Sequence, residues 1–97
     1  MPPTDAPRSL PEIDFATFIL SLASSALIHL GEMTDPAGGG DVTNLPIAKQ
    51  TIDIIAMLAD KTKGNVTAAE TQLLSGVLYD LRVRYVDAQK AAAARPV

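Results

Sequence analysis

Between Phe15 and Leu30 the chain reads FATFILSLASSALIHL, a run without a formal charge. Apolar residues occupy most of its helical perimeter, and the polar ones are small apart from His29. A helix apolar on most sides needs cover on more than one of them. Further along, Ile47, Thr51, Ile54, Ile55, Leu58 and Thr62 recur at helical spacing. Leu74, Val77, Leu78, Leu81 and Tyr85 make a third stripe, widened by Leu73, Val83 and Val86. Strand-like alternation is absent. The pattern predicts three helices, over about 15–30, 45–63 and 68 to at least 88. The Ala91 to Ala94 run can extend the last of them before Pro96 stops it.

The helix ends carry their own signals. Asp14 can accept hydrogen bonds from the first free N–H groups, and Ile13 and Phe18 are spaced as a hydrophobic staple. Gly31 supplies the left-handed residue that commonly closes a helix. Asn44 is a second N-cap, with Pro46 in the first turn, where its missing N–H costs little. Gly64 is expected to end the second helix, and Thr67 with Glu70 forms a T-x-x-E capping box for the third. The short link between these two helices predicts an antiparallel hairpin. Gly76 lies inside the third helix, where glycine costs about 1 kcal/mol relative to alanine. Close approach by another helix would explain it.

These elements divide the chain into a disordered Pro-rich tail (1–13), a single helical domain (14–90) with a Gly-rich linker at 32–43, and a frayed C-terminal tail (91–97). The linker leaves two paths open for the first helix, back onto its own hairpin or across onto another copy. A chain of 97 residues supports only a thin core, and oligomerisation often supplies the missing burial. The expected fold is therefore all-α: a helical hairpin plus an apolar N-terminal helix, assembled as an oligomeric helical bundle. Phe15, Phe18, Ile19, Leu22, Leu27, Ile55, Leu58, Leu78 and Leu81 are the expected core or interface residues.

Composition narrows the function. Cysteine is absent, which excludes disulfides and thiolate metal sites and fits a reducing cytosol. A net charge of −3 argues against a generic nucleic-acid binder, and two Phe, two Tyr and no Trp supply a poor base-stacking platform. The apolar run is bounded by Pro11 and Asp14 before it and by Gly31 and Glu32 after it, short of the roughly 20 residues a membrane span needs. No basic n-region precedes it, as a signal peptide would require. The GGGD stretch at 38–41 lacks the Gly-Lys-Ser/Thr ending and preceding strand of a phosphate-binding loop.

Two blocks, DFATFILSLASSALIHLGE (Asp14 to Glu32) and NLPIAKQTIDIIAMLADKTKGNVTAAETQLLSGVLYDLRVRYVDA (Asn44 to Ala88), resemble a small bacterial family without assigned activity, domain-of-unknown-function family 1844. The wording NLPxAKQTID and KTKGNxT carries most of the resemblance. It implies a small, largely helical protein and no particular chemistry.

Two groups of residues raise chemical possibilities. His29, the one histidine, follows Thr17, Ser21 and Ser25 at steps of four, which suggests a Ser–His pair or a metal ligand. An oriented base, an oxyanion hole and further ligands are not evident around it. Small residues that let a helix approach, with His29 near the helix end, account for the stripe more simply. Lys61, Lys63, Arg82 and Arg84 offer a surface for an acidic partner or RNA phosphate. The hairpin sets the two arginines two to three turns from the lysines, which argues for solvated faces instead. Asp80 and Arg84 are spaced for an i,i+4 ion pair in the favourable order, Lys49 and Asp53 in the weaker reverse order.

The reading is a non-enzymatic cytoplasmic module that associates with itself or with an unidentified second protein, needs no cofactor, and engages neither nucleic acid nor membrane. A small-molecule binder or enzyme with an inter-helix pocket near His29 is one alternative, an RNA or ribosome-associated adaptor is a second, and a peripheral membrane role for the first helix is a third.

Overall fold

The computed structural model describes residues 12–34, 38 and 42–94. The expected Pro-rich tail up to residue 11, most of the glycine linker and residues 95–97 lie outside them. The described residues form three helices: α1 (Phe15–Leu30), α2 (Leu45–Lys61) and α3 (Ala68–Ala94). α3 takes in Ala91–Ala94, the run that sequence leaves between helix and tail. Each helix packs against both others.

Local chemistry sets the boundaries. The Thr17 N–H donates to Asp14 Oδ1 at 2.7 Å, and the Ile47 N–H to Asn44 Oδ1 at 3.0 Å. The capping box closes reciprocally, Thr67 N–H to Glu70 Oε1 at 2.8 Å and Glu70 N–H to Thr67 Oγ1 at 3.1 Å. α2 stops at Lys61, two residues before the expected end. Thr62 caps it, its N–H and Oγ1 both donating to the Leu58 carbonyl, and Gly64 takes the left-handed turn beyond.

The end of α1 is tied to the start of α2. Gly31 adopts φ 84°, so its N–H reaches the Ile28 carbonyl and the Glu32 N–H reaches that of Leu27. Asn44 then donates its N–H to the His29 carbonyl at 2.7 Å while its side chain caps α2. Three carbonyls at the end of α1 are thereby satisfied, and the start of α2 is tied directly to that end. α1 follows the first of the two open paths and lies on its own hairpin.

Gly31 is the joint of this closure. A Cβ there would sit 2.9 Å from Thr43 Oγ1 and would also impose left-handed strain on an L-residue. Gly31→Ala is expected to lower stability by about 1–3 kcal/mol, read from the urea midpoint. Gly64→Ala, with open space around its Cβ, should lose only the conformational part.

The core takes one large side chain from each helix: Ile19, Ile55 and Leu81 are the largest fully buried residues. Ala23, Ala26, Leu30, Ala48, Ile52 and Leu74 complete it. Phe15, Leu22, Leu27, Leu58 and Leu78 pack around it, half-buried. Phe18 does not join them. It is 42% exposed, because the buried stripe of α1 runs through 19, 23, 26 and 30, and residue 18 stands a full 100° step to its side.

α2 also differs from the expected stripe. Its buried face is Ala48, Thr51, Ile52 and Ile55, which leaves Ile47 and Ile54 exposed. Thr51 is satisfied in the core by donating its hydroxyl to the Ile47 carbonyl at 3.0 Å. Fully buried Ala48 gives α2 a small side chain beside its buried isoleucines. Fully buried Ala26 likewise gives α1 a small side chain in the core.

Asp14 gives the fold a pH signature in the acid range. The Thr17 N–H holds its carboxyl below the ordinary carboxylate range. A depressed pKa stabilises the fold above the unfolded value of about 4, and that contribution is lost as pH falls through the folded value. Wild type should therefore melt above Asp14→Asn at neutral pH, and the gap should close in acid. A gap constant down to pH 2 would show that the charge at this cap is immaterial.

Candidate functional site

With the core assigned, six of the exposed large apolar side chains among the described residues fall on two lines, while Ile13, Phe18, Leu20 and Met33 lie outside them. On α2 the line is Ile47, Ile54 and Met57, at steps of seven and three. On α3 it is Tyr79, Val83 and Val86, at steps of four and three. Tyr79 is 74% exposed, Val83 43% and Val86 44%. Scattered exposed apolar residues are normal on a protein surface. Alignment along one helix face is different, because such a line presents a continuous strip to another helix.

The α3 strip lies on a shallow apolar groove, with Arg82 at one margin and Asp87 at the other. It faces away from α1 and α2, since the buried residues Leu74 and Leu81 fall on the opposite side of the helix. Gly76 stands one turn before Tyr79, and a Cβ there would meet nothing within 4 Å. Packing within the chain therefore gives no reason for glycine at this position. Neither Arg82 nor Asp87 has an ion pair or side-chain hydrogen bond among the described residues.

The four candidate cations do not make one patch. Lys61 is exposed at the end of α2, and Lys63 pairs loosely with Asp60 at 3.7 Å. Arg82 lies 14 positions beyond the start of α3, about 21 Å along the helix. That is nearer four turns than the two to three expected: the helix starts at residue 68 as predicted, and 14 residues at about 3.6 per turn make about four turns. Arg84 is already engaged. Its Nη1 donates to Glu32 Oε1 and its Nε to Asp80 Oδ2, both at 2.9 Å. Asp80 foremost, then Glu32, raises the guanidinium pKa further, and the Glu32 pair links α3 to the segment just after α1. Lys49 and Asp53 also pair, at 2.8 Å, despite their less favourable order.

His29 lies in a depression lined by Ser21, Ser24, Ser25, Ile28 and Val42. Its Nδ1 lies 2.9 Å from the Ser25 main-chain carbonyl, which can only accept, so Nδ1 carries the proton. The ring is thus bonded to the backbone of Ser25 and not to its hydroxyl. Ser21 Oγ likewise donates to a main-chain carbonyl, that of Thr17. The Ser21 hydroxyl and the His29 ring are thus each engaged with a main-chain carbonyl one turn back along α1. Among the described residues no group of three or more His, Cys, Asp or Glu is placed to hold a metal ion. Nor is any described helix long and apolar enough to cross a membrane.

Sequence reasoning marked Val83 and Val86 only as a widening of the core stripe and missed the exposed line on α3. The signal was present in the 79–83–86 spacing. It was hidden because the core residues Leu74, Val77, Leu78 and Leu81 interleave with it on the same helix.

The described residues define a unit of three helices around one apolar core, with exposed apolar strips on α2 and α3. The chain belongs to the family of the domain of unknown function DUF1844, whose model matches residues 12–87. The match takes in α1, α2 and all of α3 through Asp87. No curated protein and no solved structure matches the chain.

Proposed function

We propose that this protein is a non-enzymatic helical interaction module of the cytosol that assembles with copies of itself. The observation that carries the reading is the alignment of exposed Tyr79, Val83 and Val86 along one face of α3, apart from the core. Covering such a strip removes apolar surface from water at about 25 cal/mol per Å². The Ile47, Ile54 and Met57 line gives the same chain a second surface of this kind. A protein presenting two apolar strips can join more than one neighbour, so a dimer is the smallest assembly expected.

Light scattering coupled to size exclusion, across a dilution series, tests this directly. A dimer or larger species at high concentration, dissociating on dilution, is expected. A compact monomer at every concentration overturns the proposal.

A further inference from the structure

We propose that α3 pairs with α3 of a second copy, side by side and in parallel, along a seam through Gly76, Tyr79, Val83 and Val86. This rests on the self-association reading above and specifies its interface. The four residues fall at alternating steps of three and four, the a and d positions of a heptad. Lys90, the next position of that series, is exposed and ends the apolar run.

Charge identifies the occupant as another copy. In this register Arg82 and Asp87 take the g and e positions on opposite margins of the seam. Parallel helices bring g of one chain beside e of the next heptad in the other, five residues on. Arg82 of each copy then meets Asp87 of its partner, twice by symmetry. Both side chains lack an ion-pair partner among the described residues of one chain. An antiparallel pair would instead set like margins together, with Asp80 against Asp87. One helix surface is thus self-complementary in one orientation only.

Gly76 fits the same arrangement. Long helical side chains lean toward the helix N-terminus, over the residue three positions earlier. For Tyr79 that residue is Gly76, whose missing Cβ faces open space. The Gly76 layer gives room for two tyrosine rings meeting across the seam. From Gly76 to Val86 the seam is about 15 Å long, which predicts association that dilution reverses.

The chain has no cysteine, so single-cysteine variants cross-link without background. Val83 is exposed, and Val83→Cys should leave the fold intact. Cα atoms at facing a positions come within the roughly 4.4–6.8 Å that a disulfide requires. Val83→Cys alone should therefore form a covalent dimer under mild oxidation, and Asn65→Cys, exposed in the turn between α2 and α3 and outside both strips, should not. Arg82→Asp should weaken dimerisation about tenfold by replacing two attractions with two repulsions. Adding Asp87→Arg to it should restore affinity to within about threefold, because the swapped charges still face each other. A dimer in which Val83→Cys cross-links only when mixed with Val86→Cys is antiparallel and overturns this inference. A dimer indifferent to both the cysteine and the charge swaps also overturns it, while leaving self-association standing. A monomer at all concentrations overturns both.

Discussion

Leu81→Asp is expected to leave the chain unfolded at neutral pH. Leu81 is 1% exposed and is the contribution of α3 to the centre of the core. Removing a leucine from such a place costs about 2–5 kcal/mol. The new carboxylate must then either stay charged without a partner or take up a proton. Protonating a carboxyl at pH 7, about three units above its ordinary pKa, costs about 4 kcal/mol. The sum, about 6–9 kcal/mol, rivals the whole stability of a small domain, about 5–15 kcal/mol. The pH dependence has a definite sign. Burial raises the pKa of the introduced carboxyl, so the folded state binds the proton more tightly. Stability then falls as pH rises from about 4 to the raised value and is lowest above it. Circular dichroism should show lost helix at pH 7 and partial recovery near pH 4. Val83→Asp, two residues along the same helix but exposed, should keep its helix at both. A native-like melt for Leu81→Asp at pH 7 would mean that this side of α3 is not in the core.

Ile55→Ala should be the most costly single truncation in α2, at about 2–5 kcal/mol, with Ile55→Val at about 0.5–1.5 kcal/mol. Ile55 is fully buried and the neighbouring helices leave it little room to relax. Ile54, one residue earlier, is 37% exposed, and Ile54→Ala should cost under about 1 kcal/mol. The pair discriminates sharply, since the hydrophobic spacing of α2 enlists both residues. Urea titration at constant m-value reads the difference. Equal losses would mean that α2 presents another face to the core.

These expectations separate two kinds of information in the chain. Helix limits were legible because capping is local. Asp14, Asn44 and the Thr67–Glu70 pair each act within one turn, and Gly31 acts on the carbonyls just before it. The same holds for the ion pairs of Arg84 with Asp80 and Lys49 with Asp53, each formed across one helical turn. Three core residues, Ile19, Ile55 and Leu81, were also readable, since each centres an apolar stripe.

What the stripes could not decide was orientation. α2 carries isoleucines at 47, 52, 54 and 55, spread over more than one side. Which of them are buried depends on where α1 and α3 lie. Once those helices approach, Ala48 and Ile52 go inward and Ile47 and Ile54 stay out. Phe18, expected in the core or an interface, stays out of the core for the same reason, being apolar but beside the stripe that meets the hairpin. On α3, core and surface lines interleave within one helix, so only the burial of Leu74 and Leu81 exposes the 79–83–86 line as separate.

Sequence alone thus determined the three helices, their N-terminal caps, the close of α1 and their short-range pairs, because those depend on residues within a turn of one another. Tertiary structure alone decided which faces are buried, that Arg84 reaches Glu32 across 52 positions, and that residues 31 and 43 meet. Those contacts join parts of the chain whose separation in sequence carries no periodic signal, and only packing selects among them.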